Sequence, residues 1–267
     1  MSLYQSLASA RVFDLSHPLV EGMAVSPSHV PFTMALTRRH GDRPRADGSS
    51  GASELLVMSG HTGTHLDALC HIAADGRLHG GYDAAAAARD GRFSVLGVDS
   101  VPPLVLRAVL LDVAGSLGVD SLPPAHRITD IELDRVAAEQ GLTVESGDAI
   151  LVRTGWAHAH WGDRAAFVGT ESGVPGVDLS GADWILSRDS PLAGTDTMAF
   201  ERLAPGAGHA HLPVHRRLIA ESGVYLVEMM NLDEMAAQRV YLSTLVLAPL
   251  RFVGATGSPV RPLAFAE

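Results

Sequence analysis

Cysteine is nearly absent from this chain of 267 residues: Cys70 stands alone. One thiol excludes an internal disulfide framework and fits a reducing compartment. Long apolar runs are missing too. None approaches the roughly 20 residues of a membrane-crossing helix. The opening MSLYQSLASARVFDLSH has no cationic stretch followed by an apolar one, so no secretory signal is expected. These absences make a cytoplasmic protein with no membrane partner the expectation. Positive charge is short as well. Twenty Lys plus Arg face 30 Asp plus Glu, a formal net charge of −10. Nucleic acid is therefore not an expected partner, because it calls for a basic footprint. Aromatic residues are 5% of the chain. A ring-stacking pocket would have to draw on a few of them, such as Phe32, Trp156, Trp161 or Trp184. No internal repeat or low-complexity linker divides the sequence. Its apolar share of 46% and charged share of 19% are globular values. We expect one domain over residues 1–267, with a sizeable core.

Strands are expected at 12–16 (VFDLS), 32–37 (FTMALT), 54–59 (ELLVMS), 104–114, 148–156, 191–196, 224–232 and 240–254, the last interrupted near Pro249. The Arg-, Gly- and Ser-rich stretch 38–53 reads as a mobile loop, a lid or an arm toward another subunit. Helices are expected at 83–91, ended by Gly91, and at 129–141, where Thr129 and Glu132 have capping-box spacing. Further helices are expected at 181–189 with Ser180 as N-cap, and at 212–223 with Pro213 in the first turn. This pattern predicts an α/β fold with a mixed, barrel-like sheet and peripheral helices.

What is abundant is histidine. There are 13, unevenly placed. The stretch SGHTGTHLDALCH (59–71) holds His61, His65, Asp67 and His71, all on odd positions. A helix would turn Asp67 away from His65, whereas an extended or loosely turned segment converges them on one side. Gly60 and Gly63 allow the unusual backbone angles this needs. Two imidazoles and a carboxylate suit a borderline cation such as Zn²⁺ or Mn²⁺, with positions left open for water and substrate. A closed structural zinc site would call for more cysteines. The neighbouring Cys70 invites a Cys–His nucleophile, but adjacent residues point apart and no oxyanion loop is apparent.

HTGTHLDALCH resembles the H-x-G-T-H-x-D-x-P-x-H motif of the cyclase family of metal-dependent hydrolases, which includes bacterial kynurenine formamidase and isatin hydrolase. Leu69 stands where the commonest pattern has proline. The resemblance extends through FDLSHPLVEGM, LVRTGW, GTDTMAFE and HLPVHRRLIAESGVYLVEMMNLDEM, in the family's order. It implies a swivelling β/α/β fold and a homodimer or larger homo-oligomer. It implies His61, His65 and Asp67 as metal ligands and His71 as the proton-transfer residue. In two-metal members Asp67 bridges, and His215 and Glu228 match the ligands of the second ion. One or two divalent ions, Mn²⁺ or Zn²⁺, remain open.

The expected chemistry is addition of metal-activated water to the carbonyl of a small amide or lactam, of the isatin or N-formylkynurenine type. A lactone or ester hydrolase is the alternative within the family, and a non-catalytic metal-binding assembly protein the alternative outside it. Glu228 ends an apolar strand, where a lone carboxylate is costly to bury. Thr64 is a candidate to hold a water or an oxyanion. Asp196 and Thr197 are candidates to orient the site. His17 is expected to approach the pocket, and Arg153 to form an ion pair at the core edge. His209 and His211 read as polar loop residues that could line the site. His158 and His160 face substrate or solvent. His29, His40, His79 and His126 are expected to be solvated.

Overall fold

The computed structural model describes residues 2–267. Its apolar segments, punctuated by turn residues, build nine strands of one sheet: β1 (Arg11–Asp14), β2 (His65–Asp67), β3 (Leu104–Asp112), β4 (Ala149–Arg153), β5 (Leu192–Thr195), β6 (Tyr225–Glu228), β7 (Leu242–Leu247), β8 (Gly257–Pro259) and β9 (Leu263–Ala266). The spatial order is β1-β9-β7-β3-β4-β5-β6-β2-β8. Strands β3 to β6 are parallel neighbours and the other pairings are antiparallel. The sheet curls into a half-barrel, and the chain forms a single α/β domain.

Parallel strands need crossovers, and these supply the helices. Asp130–Glu139 links β3 to β4, Leu179–Leu186 links β4 to β5, and Pro213–His215 runs into a π-helical turn, Arg216–Glu221, before β6. With helices over one face and strands and loops over the other, the parallel strands are buried on both sides. That is why they read as near-continuous apolar runs. Leu66, Leu110, Leu151, Leu192 and Val227 pack into one core, while Val109, Leu111, Ile150, Val152, Ala193 and Leu226 pack into a second.

Several boundaries differ from the sequence reading. Thr129 and Glu132 form the expected capping box. The cap of the Leu179–Leu186 helix is Asp178, not Ser180: its carboxylate reaches both the Ser180 and Gly181 N–H groups. The stretch 83–91 is one helical turn, Ala84–Ala87, followed by a two-residue ladder with Gly91 in its turn at φ 74°. The segment 240–254 leaves the sheet after Leu247. The strands expected at 32–37 and 54–59 are Thr33–Arg38 and Ser53–Val57, paired with each other in a hairpin outside the main sheet. No helix among the described residues is long and apolar enough to cross a membrane.

Candidate metal centre

The segment before β2 is a turn, and Gly63 sits in it at φ 61°, a left-handed conformation that favours glycine. The turn carries His61 inward. The strand then does the rest. His65 and Asp67 share one face of β2 because side chains alternate. The antiparallel register sets Glu228 of β6 directly opposite His65, while Leu66 faces Val227 on the other side. On its other edge β2 meets β8, with Gly257 opposite Asp67. A Cβ at Gly257 would stand 2.7 Å from the His61 ring, so only glycine leaves room for that imidazole. His215 arrives from the short helix that opens at Pro213. After Glu228 the chain turns sharply through Met229, a non-glycine residue held at φ 55°.

Two groups of donors result: His61, His65 and Asp67, and Asp67, His215 and Glu228. All five are buried. His61 Nδ1 lies 2.7 Å from Asp67 Oδ1 and His65 Nε2 lies 3.5 Å from it. His65 Nε2 is 3.4 Å from Glu228 Oε2, and His215 Nε2 is 3.0 Å from Glu228 Oε1. Asp67 belongs to both groups. Its second oxygen, Oδ2, is buried with no hydrogen-bond partner. The nearest imidazoles, His215 Nε2 at 3.8 Å and His71 Nε2 at 4.0 Å, stand too far away to satisfy it. No arginine pairs with Asp67 or Glu228 among the described residues; their side-chain partners are imidazoles, and Glu228 Oε1 also accepts the Phe200 N–H at 2.8 Å. Buried carboxylates with imidazoles around them but no arginine, one with an orphaned oxygen, fit a divalent cation.

Electrostatics follow from this packing. Burial alone would push Asp67 and Glu228 up. The surrounding imidazoles outweigh it, holding Asp67 well below the usual carboxylate range and Glu228 at about 2. Burial opposes the protonated forms of His65 and His215 as well. Hydrogen bonds to Glu228, and to Glu201 behind His215, nonetheless raise both imidazoles. His71 has no such hydrogen bond. Burial takes it down to about 4, with Asp67 only partly opposing.

A cavity of about 150 Å³ opens on this cluster. His71 lines it from outside both donor groups, with its side chain 23% exposed. Ile72, Met198, Leu212 and Met229 form its apolar wall. His29, expected to be solvated, instead lines the cavity and stacks on His61 at 5.1 Å, and His209 also borders it.

Other candidates lie elsewhere. None of Phe32, Trp156, Trp161 or Trp184 lines the cavity, so among the described residues the ring-stacking pocket does not form. His17 stacks on Trp161 at 3.7 Å and lines a different cleft. Thr64 has no free hydroxyl: it donates to the Met229 carbonyl and accepts from the His17 N–H. Asp196 accepts from Thr154 and Gly155, and Thr197 donates to the Ala199 carbonyl, so both brace the backbone rather than the cavity. Arg153 forms the expected ion pairs, with Asp112 and Asp233. His158 pairs with Asp233, His160 packs on Trp156, and His211 lines another cleft. His126 bonds Glu132 and His79 packs over Gly223, so neither is freely solvated, whereas His40 is exposed. Cys70 is buried, its thiol pushed up to about 11 by that burial.

Two partners behind the donor imidazoles were not singled out from sequence. Glu201 accepts from His215 Nδ1 at 2.5 Å, and Thr256 meets His61 Nε2 at 2.9 Å. Glu201 closes the GTDTMAFE segment, the one available signal; Thr256 carried none.

The curled sheet and the paired His/Asp/Glu groups define an α/β protein with two side-chain groups able to hold a metal ion. The chain belongs to the Cyclase family, described as putative cyclase, whose model matches residues 13–202. It is 28% identical to an isatin hydrolase of Roseibium aggregatum over 222 residues, 82% of this chain and 76% of that protein. It is 26% identical to a kynurenine formamidase of Geobacillus thermodenitrificans over 249 residues, 93% of this chain and 94% of that one. A crystal structure described as a novel cyclase superposes with a TM-score of 0.86 at 27% identity, covering 98% of this chain and 88% of its own.

Proposed function

We propose that this chain is a metal-dependent hydrolase that adds water to the carbonyl of a small amide or lactam, of the isatin or N-formylkynurenine type. The observation that carries the reading is Asp67, shared by two donor groups and left with one buried, unpartnered oxygen beside an imidazole, His71, that belongs to neither. One or two divalent ions, Mn²⁺ or Zn²⁺, held by His61, His65, Asp67, His215 and Glu228 would acidify a water and polarise an acyl oxygen.

His71 acts as the general base and acid. It is neutral at pH 7, so its Nε2 accepts the proton of the attacking water and returns it to the departing nitrogen. Ile72, Met198, Leu212 and Met229 exclude bulk water from that exchange and receive the substrate's ring. A dry cavity near 150 Å³ is known to admit benzene, so a single ring with its acyl group is the scale of substrate favoured. The lining contributes imidazoles, the Ser26 and Ser28 side chains, the Glu228 carboxylate and apolar groups but no arginine, and the chain contains no lysine. That chemistry favours an uncharged lactam over N-formylkynurenine, which carries both an ammonium and a carboxylate.

The test is ultraviolet assay of both substrates with protein stripped by chelator and reloaded with Mn²⁺ or Zn²⁺. Turnover restored by metal supports the hydrolase and selects the substrate. Metal-replete protein inert toward both substrates and toward lactones would instead favour a non-catalytic metal-binding role.

A further inference from the structure

His215 is gripped from behind by a carboxylate that takes no part in either donor group. Glu201 Oε2 accepts from His215 Nδ1 at 2.5 Å and from the His215 N–H at 3.0 Å, and Oε1 accepts the Val214 N–H at 2.8 Å. Glu201 is 1% exposed and pairs with no arginine among the described residues. A buried charge of this kind is costly unless its hydrogen bonds are complete. All three come from residues 214 and 215. With the ring proton held on Nδ1, the ring presents Nε2 toward Glu228 Oε1 at 3.0 Å and Asp67 Oδ2 at 3.8 Å. The other two imidazoles are backed by neutral groups. His65 Nδ1 meets the Gly63 carbonyl at 2.7 Å, and His61 Nε2 meets the Thr256 hydroxyl at 2.9 Å.

We propose that Glu201 is the positioning residue of the Asp67–His215–Glu228 group: it fixes the tautomer of His215 and so sets that group's hold on a divalent cation separately from the His61–His65–Asp67 group. A carboxylate behind an imidazole orients the ring and makes it a stronger donor than a carbonyl or hydroxyl does. This rests on reading the two groups as cation ligands and not on the identity of the acyl substrate.

The test uses full-length protein with ¹⁵N-labelled histidine, stripped by chelator and titrated with Zn²⁺. Ring ¹⁵N spectra report which nitrogen of His215 carries the proton, and equilibrium dialysis reports ions and affinities. In the Zn²⁺-loaded wild type, His215 carries its proton on Nδ1. Glu201→Ala, which leaves the Nδ1 proton no acceptor, loses that tautomer and weakens the ion of the His215 group by about 10- to 100-fold. An ion at His61 and His65 keeps its affinity. Equal weakening of every ion, or none, overturns the proposal, because a residue that merely caps the Pro213 helix would lower the melting temperature without that selectivity. A Zn²⁺-loaded wild type whose His215 carries its proton on Nε2 overturns it too, and needs no folded variant. Wild-type protein that takes up no Zn²⁺ overturns the metal reading itself.

Discussion

His71→Ala removes the one imidazole that faces Asp67 yet belongs to neither donor group. Metal content should stay at the wild-type level while kcat falls by about 10²- to 10⁴-fold, the usual worth of general acid–base catalysis. Wild-type turnover by that variant would remove His71 from the reaction. Asp67→Ala should behave oppositely, losing metal and activity together, because Asp67 serves both groups. The raised imidazoles set a pH dependence. In the metal-free chain His65 and His215 keep their protons to higher pH than free imidazole, and a cation has to displace them. Affinity for Zn²⁺ should therefore fall as pH is lowered, by up to about tenfold per pH unit for each proton displaced. A flat affinity between about pH 6 and 8 would contradict this. The first donor group and His71 were legible because His61, His65, Asp67 and His71 lie within one short segment, whereas His215 and Glu228 came into view only through the family resemblance. His209 was already a candidate to line the site, but Glu201, Thr256 and His29 were not legible as site residues. Each is a lone residue brought in from a distant segment, and nothing local distinguishes it from a surface side chain.

At the scale of elements, the site is a consequence of strand register. A slip of one residue between β2 and β6 would send His65, Asp67 and Glu228 to the opposite face. Gly257 guards the other edge of β2. Gly257→Ala places a methyl 2.7 Å from His61 Cε1, 2.9 Å from the Leu66 carbonyl and 3.0 Å from His61 Nδ1. The backbone contact does not yield easily, so the ring must move. We expect about 1–3 kcal/mol of lost stability from overpacking, seen in the thermal midpoint, and weaker metal binding through His61. Unchanged metal affinity would mean that His61 is not a ligand. The Asp130–Glu139 helix shows the reverse case, an element written entirely in local sequence. Thr129→Ala should cost about 1 kcal/mol with no effect on metal content. The sequence reading succeeded where the signal is local, as in this capping box. It missed Ser180 against Asp178 because both are good caps two residues apart, and only backbone geometry separates them.

At the scale of the whole molecule, the Thr33–Val57 hairpin is the feature one chain does not explain. It pairs with no strand of the main sheet. Met34 and Leu56 face each other on one side and are 51% and 48% exposed; Leu55 on the other side is 57% exposed. A two-stranded hairpin is marginal by itself in water, and apolar residues on both faces call for a cover. A second copy of this chain suits by charge as well. The hairpin tip carries Arg38, Arg39, Arg43 and Arg45 against Asp42 and Asp47, on a chain whose net charge is −10. Connectivity gives the contact a consequence. The hairpin begins four residues after His29 and ends four residues before His61, both of which line the cavity. A partner seated on it would stand beside the cavity mouth, where the single chain contributes no aromatic ring other than histidine. We therefore expect light scattering to give a dimer or larger assembly, and Met34→Glu combined with Leu55→Glu to give monomers. Those monomers should keep their metal and the fold of the core, since neither residue packs into it. Their KM for a ring-bearing substrate should rise more than their kcat falls. A wild-type protein that is monomeric at all concentrations would remove the second copy from the account and leave the exposed hairpin needing another partner.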